Sequence, residues 1–566
     1  MEKSEPLMTA DGFYEKNVEA VSFFMPIACR GEIFYVSEFC RSSTCRFNSK
    51  RGVVLMTFHS ILFERTEDSI KKEPLEAPDF FVDLNLDQIR DAITAGRQEY
   101  NLKPFFYTSL NDIDAIKYRH EIMRDLENKN LFELIQSFAQ KMRTMRESLA
   151  QADKLYYNYQ KERWFLDAVR MYCDAVTGLA RDVSLVDLHS RGFVAFRNYV
   201  TDYARSDRFT ALLAETQKLL TDLSTVHYCL LIRGNSVKVR KYESESDYSA
   251  EVEETFAKFK QGAVKDYRVK FRVFSEMDHV EAQILGLVAR LYPDIFGHLD
   301  DYCAQNGKYL DETIAIFDRE IQFYIAYLEY IAALKRAGLP FCYPHLSETS
   351  KYVFDDEGFD LALAAKLVAE HAPVVCNDFS LKGAERIVVV TGPNQGGKTT
   401  FARTFGQVQY LASLGCLVPG REAQLFLSDR LFTHFEKEET ISDLRGKLQD
   451  DLVRIHHILN QATPNSIVIL NEMFTSTTVD DAFFLSKKIM ERILQLDLLC
   501  VWVTFIDELA SFSEKTVSMV STVVPDNPAE RTFKIARSPA EGLAYALAIA
   551  EKYRLTYESV KERIHS

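Results

Sequence analysis

No run of about eighteen apolar residues occurs anywhere in this chain of 566 residues, so no segment is expected to cross a membrane as a helix. The amino terminus, Met1-Glu2-Lys3-Ser4-Glu5, lacks the apolar stretch of a secretory leader. Ten cysteines are scattered without a C-x-x-C pair, which leaves neither a zinc spacing nor a disulfide framework. Together these absences predict a cytoplasmic protein whose thiols stay reduced. Positive charge is also short: the net charge of −14 argues against a chain coated in nucleic acid. A local basic surface remains compatible with it.

What is present is an ordinary globular composition, 47% hydrophobic and 27% charged. The length exceeds one core, and about three or four modules are expected. Residues 1–78 form a small region whose fold the sequence leaves undefined. Glu32–Val36 and Gly52–Met56 look like short strands there, and Thr66–Pro78 reads as an exposed linker. A helix is expected to begin near Asp87, and Asp112 is placed to cap another.

From Leu131 the pattern is regular. Leu131, Ile135, Phe138, Met142, Met145 and Leu149 alternate gaps of four and three, a heptad stripe. Helical patterns recur over Trp164–Leu179, Phe193–Ala204, Phe209–Leu223 and Glu281–Leu334. One interruption, Tyr228–Ile232 and Val237–Arg240 around Arg233-Gly234-Asn235-Ser236, predicts a β-hairpin. Arg233, Lys238, Arg240 and Lys241, with Lys258, Lys260, Lys265, Arg268, Lys270 and Arg272 beyond, make it the most basic neighbourhood in an acidic chain. Such a tip can contact phosphates or can be a solvated face.

After Leu339-Pro340 the pattern turns α/β. The β-branched run Val388–Thr391 stops at Gly392, and Gly392-Pro393-Asn394-Gln395-Gly396-Gly397-Lys398-Thr399 fits G-x-x-x-x-G-K-[ST]. An amphipathic helical pattern follows from Thr400 through Phe401, Phe405, Val408 and Leu411. Glycines let backbone N–H groups close around phosphate oxygens, and the following helix N-terminus adds positive potential. Lys398 would reach the outer phosphates of ATP, and the Thr399 hydroxyl would face Mg²⁺. Ser466–Leu470 is a second buried strand and ends in Asn471-Glu472. Glu472 is placed to orient the attacking water, while Asn471 could accept a bond from metal-bound water without adding charge. Leu498–Phe505 is a third strand, with an amphipathic helix over Asp480–Leu496 between, so a parallel sheet covered by helices is expected.

Thr391–Thr400 resembles the phosphate loop of the MutS family, which favours Pro-Asn inside it. The similarity continues through Leu414–Pro419, Leu431–Thr433, Ile458–Thr463, Leu470–Glu472 and Ser476–Asp481. The resemblance implies a multidomain protein: a helical core and lever over 79–338 with a clamp insertion near 225–272, then an ABC-type P-loop ATPase over 339–566. It implies ATP and Mg²⁺ as ligands and double-stranded or branched DNA gripped by the basic hairpin. It also implies a homodimer joined through the ATPase modules. The partner's Arg445, Gly446 and Lys447 would then complete each nucleotide site. Departures accompany it. The family has Asp at Asn471, His at Phe505, Ser-Thr at Gly446-Lys447 and an aromatic at Val374. The first residues are too few for the family's mismatch-reading and connector domains, so Phe13-Tyr14-Glu15 is taken as a chance match to its Phe-x-Glu wedge. No C-terminal helix-turn-helix or nuclease tail is expected after Ser566. Two readings result. One is a DNA-dependent ATPase clamp of mismatch repair or recombination, with Lys398 and Glu472 catalytic. The other is an ATP-gated DNA-binding or scaffold protein with little hydrolysis, favoured by Asn471 and Phe505. A small-molecule kinase is disfavoured because no acceptor-binding domain is apparent.

Overall fold

In a computed structural model of the chain, the stripe beginning at Leu131 becomes the buried face of one helix. The structure describes residues 58–66, 73–234, 236–244, 254–255, 277–436, 446–524, 527–540 and 553–565. The two short strands expected before residue 57, the Phe13–Glu15 triplet, the basic residues of 258–272 and Arg445 lie outside them.

Helices α1 (Phe80–Asp83), α2 (Leu86–Thr94), α3 (Lys103–Tyr107), α4 (Ile113–Leu126), α5 (Lys129–Lys154) and α6 (Asn158–Val183) come first. Then α7 (Arg191–Arg205), α8 (Asp207–Ser224), β1 (Tyr228–Arg233), β2 (Ser236–Lys241), α9 (His279–Leu291), α10 (Pro293–Gln305) and α11 (Glu312–Arg336) complete a helical module. Asp112 caps α4 as expected, its Oδ1 accepting from the Asp114 N–H at 3.2 Å. Asn128 does the same for α5. Leu131, Ile135, Phe138, Met142 and Met145 are all buried, so the stripe works as a core seam. The helical pattern from Glu281 to Leu334 is divided among three helices. Pro293 can start a helix but cannot continue the preceding one, and it divides α9 from α10. Residues 58–66 join this module. Ile61, Leu62 and Phe63 are buried, and Ser60 Oγ donates to Glu320 Oε2 on α11 at 2.7 Å.

The second half begins with β3 (Phe341–Cys342), β4 (His345–Ser347), β5 (Val353–Gly358), α12 (Leu361–Ala369), β6 (Asn377–Leu381) and β7 (Ile387–Thr391). Next come α13 (Lys398–Ser413), β8 (Val418–Pro419), β9 (Glu422–Phe426), β10 (Leu431–His434), α14 (Lys447–Gln461) and β11 (Ile467–Asn471). It ends with α15 (Val479–Leu496), β12 (Leu499–Val503), β13 (Thr516–Val524), β14 (Asn527–Arg537) and α16 (Tyr557–His565). The main sheet has the order β10-β11-β12-β7-β13-β14. Its pairings are parallel from β10 through β13, and β14 alone runs antiparallel. Every residue of β7, β11 and β12 is buried, which is why those strands read as unbroken apolar runs. A second sheet, β4-β9-β5-β6, lies outside the sequence-based expectation. Its strands are short and mixed in polarity, as in Val353-Phe354-Asp355-Asp356-Glu357-Gly358, so they carry no clean period.

One continuous apolar core joins the helical module to the α13 side of the main sheet, and a second covers the opposite face beneath α14 and α15. Helix α13 lies between the two halves and is bonded to the helical module along its length. Arg403 Nε donates to Asp83 O at 2.9 Å, Gln407 Nε2 to Leu84 O at 2.8 Å and Tyr410 Oη to Phe106 O at 2.8 Å. At its far end the Leu110 N–H meets Ser413 O, and Arg119 Nη1 meets Leu414 O, both at 2.8 Å. Among the described residues no helix is long and apolar enough to cross a membrane.

Candidate functional site

The site begins where β7 runs out of side-chain bulk. Gly392 has φ +112° and Gly397 φ +92°, left-handed conformations that favour glycine. Gly396 is required for a different reason. A Cβ there would lie 2.1 Å from Ser521 Oγ and 2.9 Å from Pro393 O. Ser521, buried on β13, donates its hydroxyl to Gly396 O at 2.7 Å and so fixes the loop from outside. Gln395, at φ +58°, is a non-glycine residue in the same region, a strain that the surrounding contacts sustain. Helix α13 then starts at Lys398, with Gly397 as its N-cap and Thr399 and Thr400 in its first turn. Its N-terminal dipole bears on the loop.

Lys398 is only 4% exposed. Its Nζ donates to Gly392 O at 3.1 Å, and to Pro393 O and Asn394 Oδ1 at 3.2 Å. Glu472 Oε1 stands 3.8 Å away, an ion-pair distance too long for a hydrogen bond. Burial draws the Lys398 ammonium below its ordinary pKa; Glu472 opposes this and Arg531 adds to it. The Phe505 ring, 48% exposed, lies 5.7 Å from Nζ. Residues distant in sequence meet here because β11 and β12 stack beside β7. Thr399 Oγ1 donates to Asn471 Oδ1 at 3.0 Å, across 72 positions. Glu472 takes φ +53° directly after β11, with its N–H on Val503 O at 2.9 Å. The sheet thus brings Lys398, Thr399, Asn471 and Glu472 to one end of β7 and β11. A buried cation, backbone N–H groups, a hydroxyl–amide pair and a carboxylate suit a phosphate chain with a hard cation.

Gly446 caps α14, and Lys447, its first residue, is ion-paired within the chain to Glu436. Glu436 also accepts from Thr475 Oγ1 at 3.2 Å. Val374 packs partly buried against the core. Three residues at the loop carry no signal in the sequence, all from the β13–β14 hairpin. These are Ser521, Arg531, whose Nε donates to Asn394 O at 3.3 Å, and the half-exposed Phe533 beside Gly397. None falls within a recognisable motif; only the antiparallel return of β14 brings the last two to the loop.

The second predicted site is the β1–β2 hairpin, paired from Tyr228↔Lys241 to Arg233↔Ser236. Arg233, Lys238 and Arg240 are exposed. Lys241 is exposed as well and sits over the Tyr292 ring at 4.9 Å, while Val239, like Ile284, Leu285 and Tyr292, packs against the Val288, Ala289 and Phe296 cluster. The hairpin therefore stands on α9, with Arg233, Lys238, Arg240 and Lys241 as its exposed cations.

Residues 388–562 match the family model described as MutS domain V. Two curated proteins named DNA mismatch repair protein MutS, from the Boryong and Ikeda strains of Orientia tsutsugamushi, are each 28% identical over 216 residues. Those alignments take in 37% of this chain and 24% of each relative, so the chain spans about a quarter of the length of the curated relatives it matches. Over this module, then, the chain is similar to MutS domain V and to the two MutS proteins.

Proposed function

We propose that this chain is an ATP-dependent DNA-binding clamp of the MutS type, acting in mismatch repair or a related process of DNA maintenance. The observation that carries the reading is the convergence of Lys398, Thr399, Asn471 and Glu472 around a glycine-lined loop. Fit to ATP is supported by three features: the left-handed turns at Gly392 and Gly397, the Lys398 ammonium resting on loop oxygens, and the α13 N-terminus. On binding, phosphate oxygens replace the carbonyl partners of Lys398, and Glu472 aligns the attacking water. Thr399 and Asn471 are the residues to hold Mg²⁺, which supplies charge neutralisation of the phosphates when bound.

Nucleotide state reaches the DNA through α13. The helix that starts in the loop ends on Arg119 and Leu110 of the helical module, so a shift at Lys398 is transmitted to packed helices rather than to solvent. The β1–β2 hairpin, mounted on that module, contacts DNA phosphates through Arg233, Lys238 and Arg240. Two chains pair through the ATPase modules, with Gly446 and Lys447 of one reaching the nucleotide of the other. Ion pairing to Glu436 holds Lys447 in the single chain. The exposed Leu452, Val453, Val479 and Phe484 on α14 and α15 supply apolar surface for pairing.

Hydrolysis is slow in this reading, because Asn471 adds no negative charge toward the metal and Phe505 offers no hydrogen bond to the γ-phosphate. Steady-state ATPase measured with matched, mismatched and branched DNA tests it. Activity stimulated by one DNA class and abolished by Lys398→Ala and Glu472→Gln is expected. ATP that binds but is never turned over on any DNA would favour the scaffold reading instead.

A further inference from the structure

Resting on the ATP reading, we propose that Arg531 is a second side-chain cation of the nucleotide site, supplied in cis from β14 to the terminal-phosphate end of the loop. Neither the glycine motif nor the strand ends that define the site contain it.

Asn394 is the point at which the two cations meet. Its side-chain oxygen accepts from Lys398 Nζ at 3.2 Å, and its carbonyl accepts from Arg531 Nε at 3.3 Å. Lys398 at the same point faces Glu472, so this is the end of the loop where the reacting phosphate belongs. The two positive charges already act on each other, since Arg531 helps to depress the Lys398 pKa. Like charges are held together at a cost that an anion between them would remove. A guanidinium carries five N–H donors in a planar fork, so one side chain can brace a carbonyl and meet a phosphate at once.

The position of Arg531 is set by built structure rather than by a loose tail. Ser521 on β13 fixes Gly396 O at 2.7 Å, and Asn377 on β6 clasps β14 from the other side. Its Nδ2 donates to Phe533 O at 3.1 Å and its Oδ1 accepts from the Ile535 N–H at 2.8 Å. Arg531 pairs with Val523 just to the tip side of these two anchors. The assignment also answers a deficit in the site. With an amide at Asn471 the metal is held without a carboxylate, and with Phe505 the γ-phosphate lacks a donor from the β12 side. A fixed cation on the β14 side compensates both, and makes nucleotide binding less dependent on Mg²⁺.

Fluorescence titration of the full chain with ATP and with ADP, each with Mg²⁺ and with EDTA, tests the proposal. Arg531→Ala should weaken ATP about tenfold or more, as loss of a charge-assisted hydrogen bond does. ADP should change less, and the difference should widen in EDTA. Arg531→Lys should recover part of the loss. Because the residue is only partly buried, the melting temperature without nucleotide should stay unchanged, which separates this from a folding defect. Equal loss of ATP and ADP, or ATP binding as tight as wild type, overturns the proposal while leaving the ATP reading intact. A wild-type chain that binds neither nucleotide under any condition defeats that reading, and this one with it.

Discussion

The 392–399 loop and the 228–241 hairpin both announce themselves in the sequence, and the fold treats them in opposite ways. In the loop, Lys398 is 4% exposed and each glycine is hemmed by β13 or β14. In the hairpin no residue of β1 or β2 is buried, and Ile232 is 70% exposed. A site that must place charges to within a fraction of an ångström is built from inside, by packing and hydrogen bonds. A surface proposed to meet a polyanion would need only charge and a firm base, here Val239 and Lys241 on α9 and the tyrosine that follows it. Substitutions in the first should act through folding and geometry. In the second they should act through counterions and leave folding alone.

Arg119 gives the largest expected effect. Its fully buried guanidinium joins Leu62 O and Leu414 O, the latter at the end of α13. Arg119→Ala should destabilise the chain by about 3 kcal/mol or more, since two carbonyls lose a charged partner inside the core. Urea unfolding reads this directly; a cost under about 1 kcal/mol would mean that α13 is not tied to the helical module as described. Next comes Gly396→Ala, whose Cβ would meet Ser521 Oγ at 2.1 Å. Nucleotide binding should be lost, with about 1–3 kcal/mol of destabilisation from the displaced strand. Normal nucleotide affinity in this variant would show that the loop is more pliant than the contact allows.

A pH effect follows from the same interior. Burial lifts Glu320 from its ordinary 4.5 to about 7, against the hydrogen bonds from Ser60 and Ile61. Between those values the folded chain holds a proton that the unfolded chain has released. Stability therefore falls as pH rises across that window, by up to about 1.4 kcal/mol per unit, and levels off above it. Wild type should lose melting temperature relative to Glu320→Gln from pH 4.5 to 7; parallel curves would contradict the assignment. The smallest effect on folding belongs to the hairpin. Lys238→Ala should leave stability within about 0.5 kcal/mol, yet lower the log–log salt slope of duplex binding by about 0.9 if it meets one phosphate. An unchanged slope would remove Lys238 from the DNA surface.

Legibility in the sequence follows the same division. The helix seam of α5, the apolar strands β7, β11 and β12, and the glycine loop each carry a period or a fixed spacing, so the order of amino acids alone reveals them. The Thr399–Asn471 pair is inferable because each sits at a strand end or helix start in a known order. Ser521, Arg531 and Phe533 are not: no spacing encodes the seating of β13 beside β7, which delivers Ser521, or the antiparallel return of β14, which delivers the other two. The second sheet is illegible because polar residues such as Asp355 and Asp356 sit within a strand of half-buried character. Residues 58–66 are hidden for another reason: an apolar Ile61-Leu62-Phe63 triplet is too short to show whether it packs or turns.

The measurement that tests the account most directly is duplex binding as a function of salt, in ADP and in ATP, for wild type and Lys398→Ala. The account predicts an affinity that falls steeply with salt, differs between the two nucleotides in wild type, and no longer differs in Lys398→Ala. Wild-type binding that is identical in ADP and ATP would contradict it, because the loop and the hairpin would then be two sites that share a chain without being coupled.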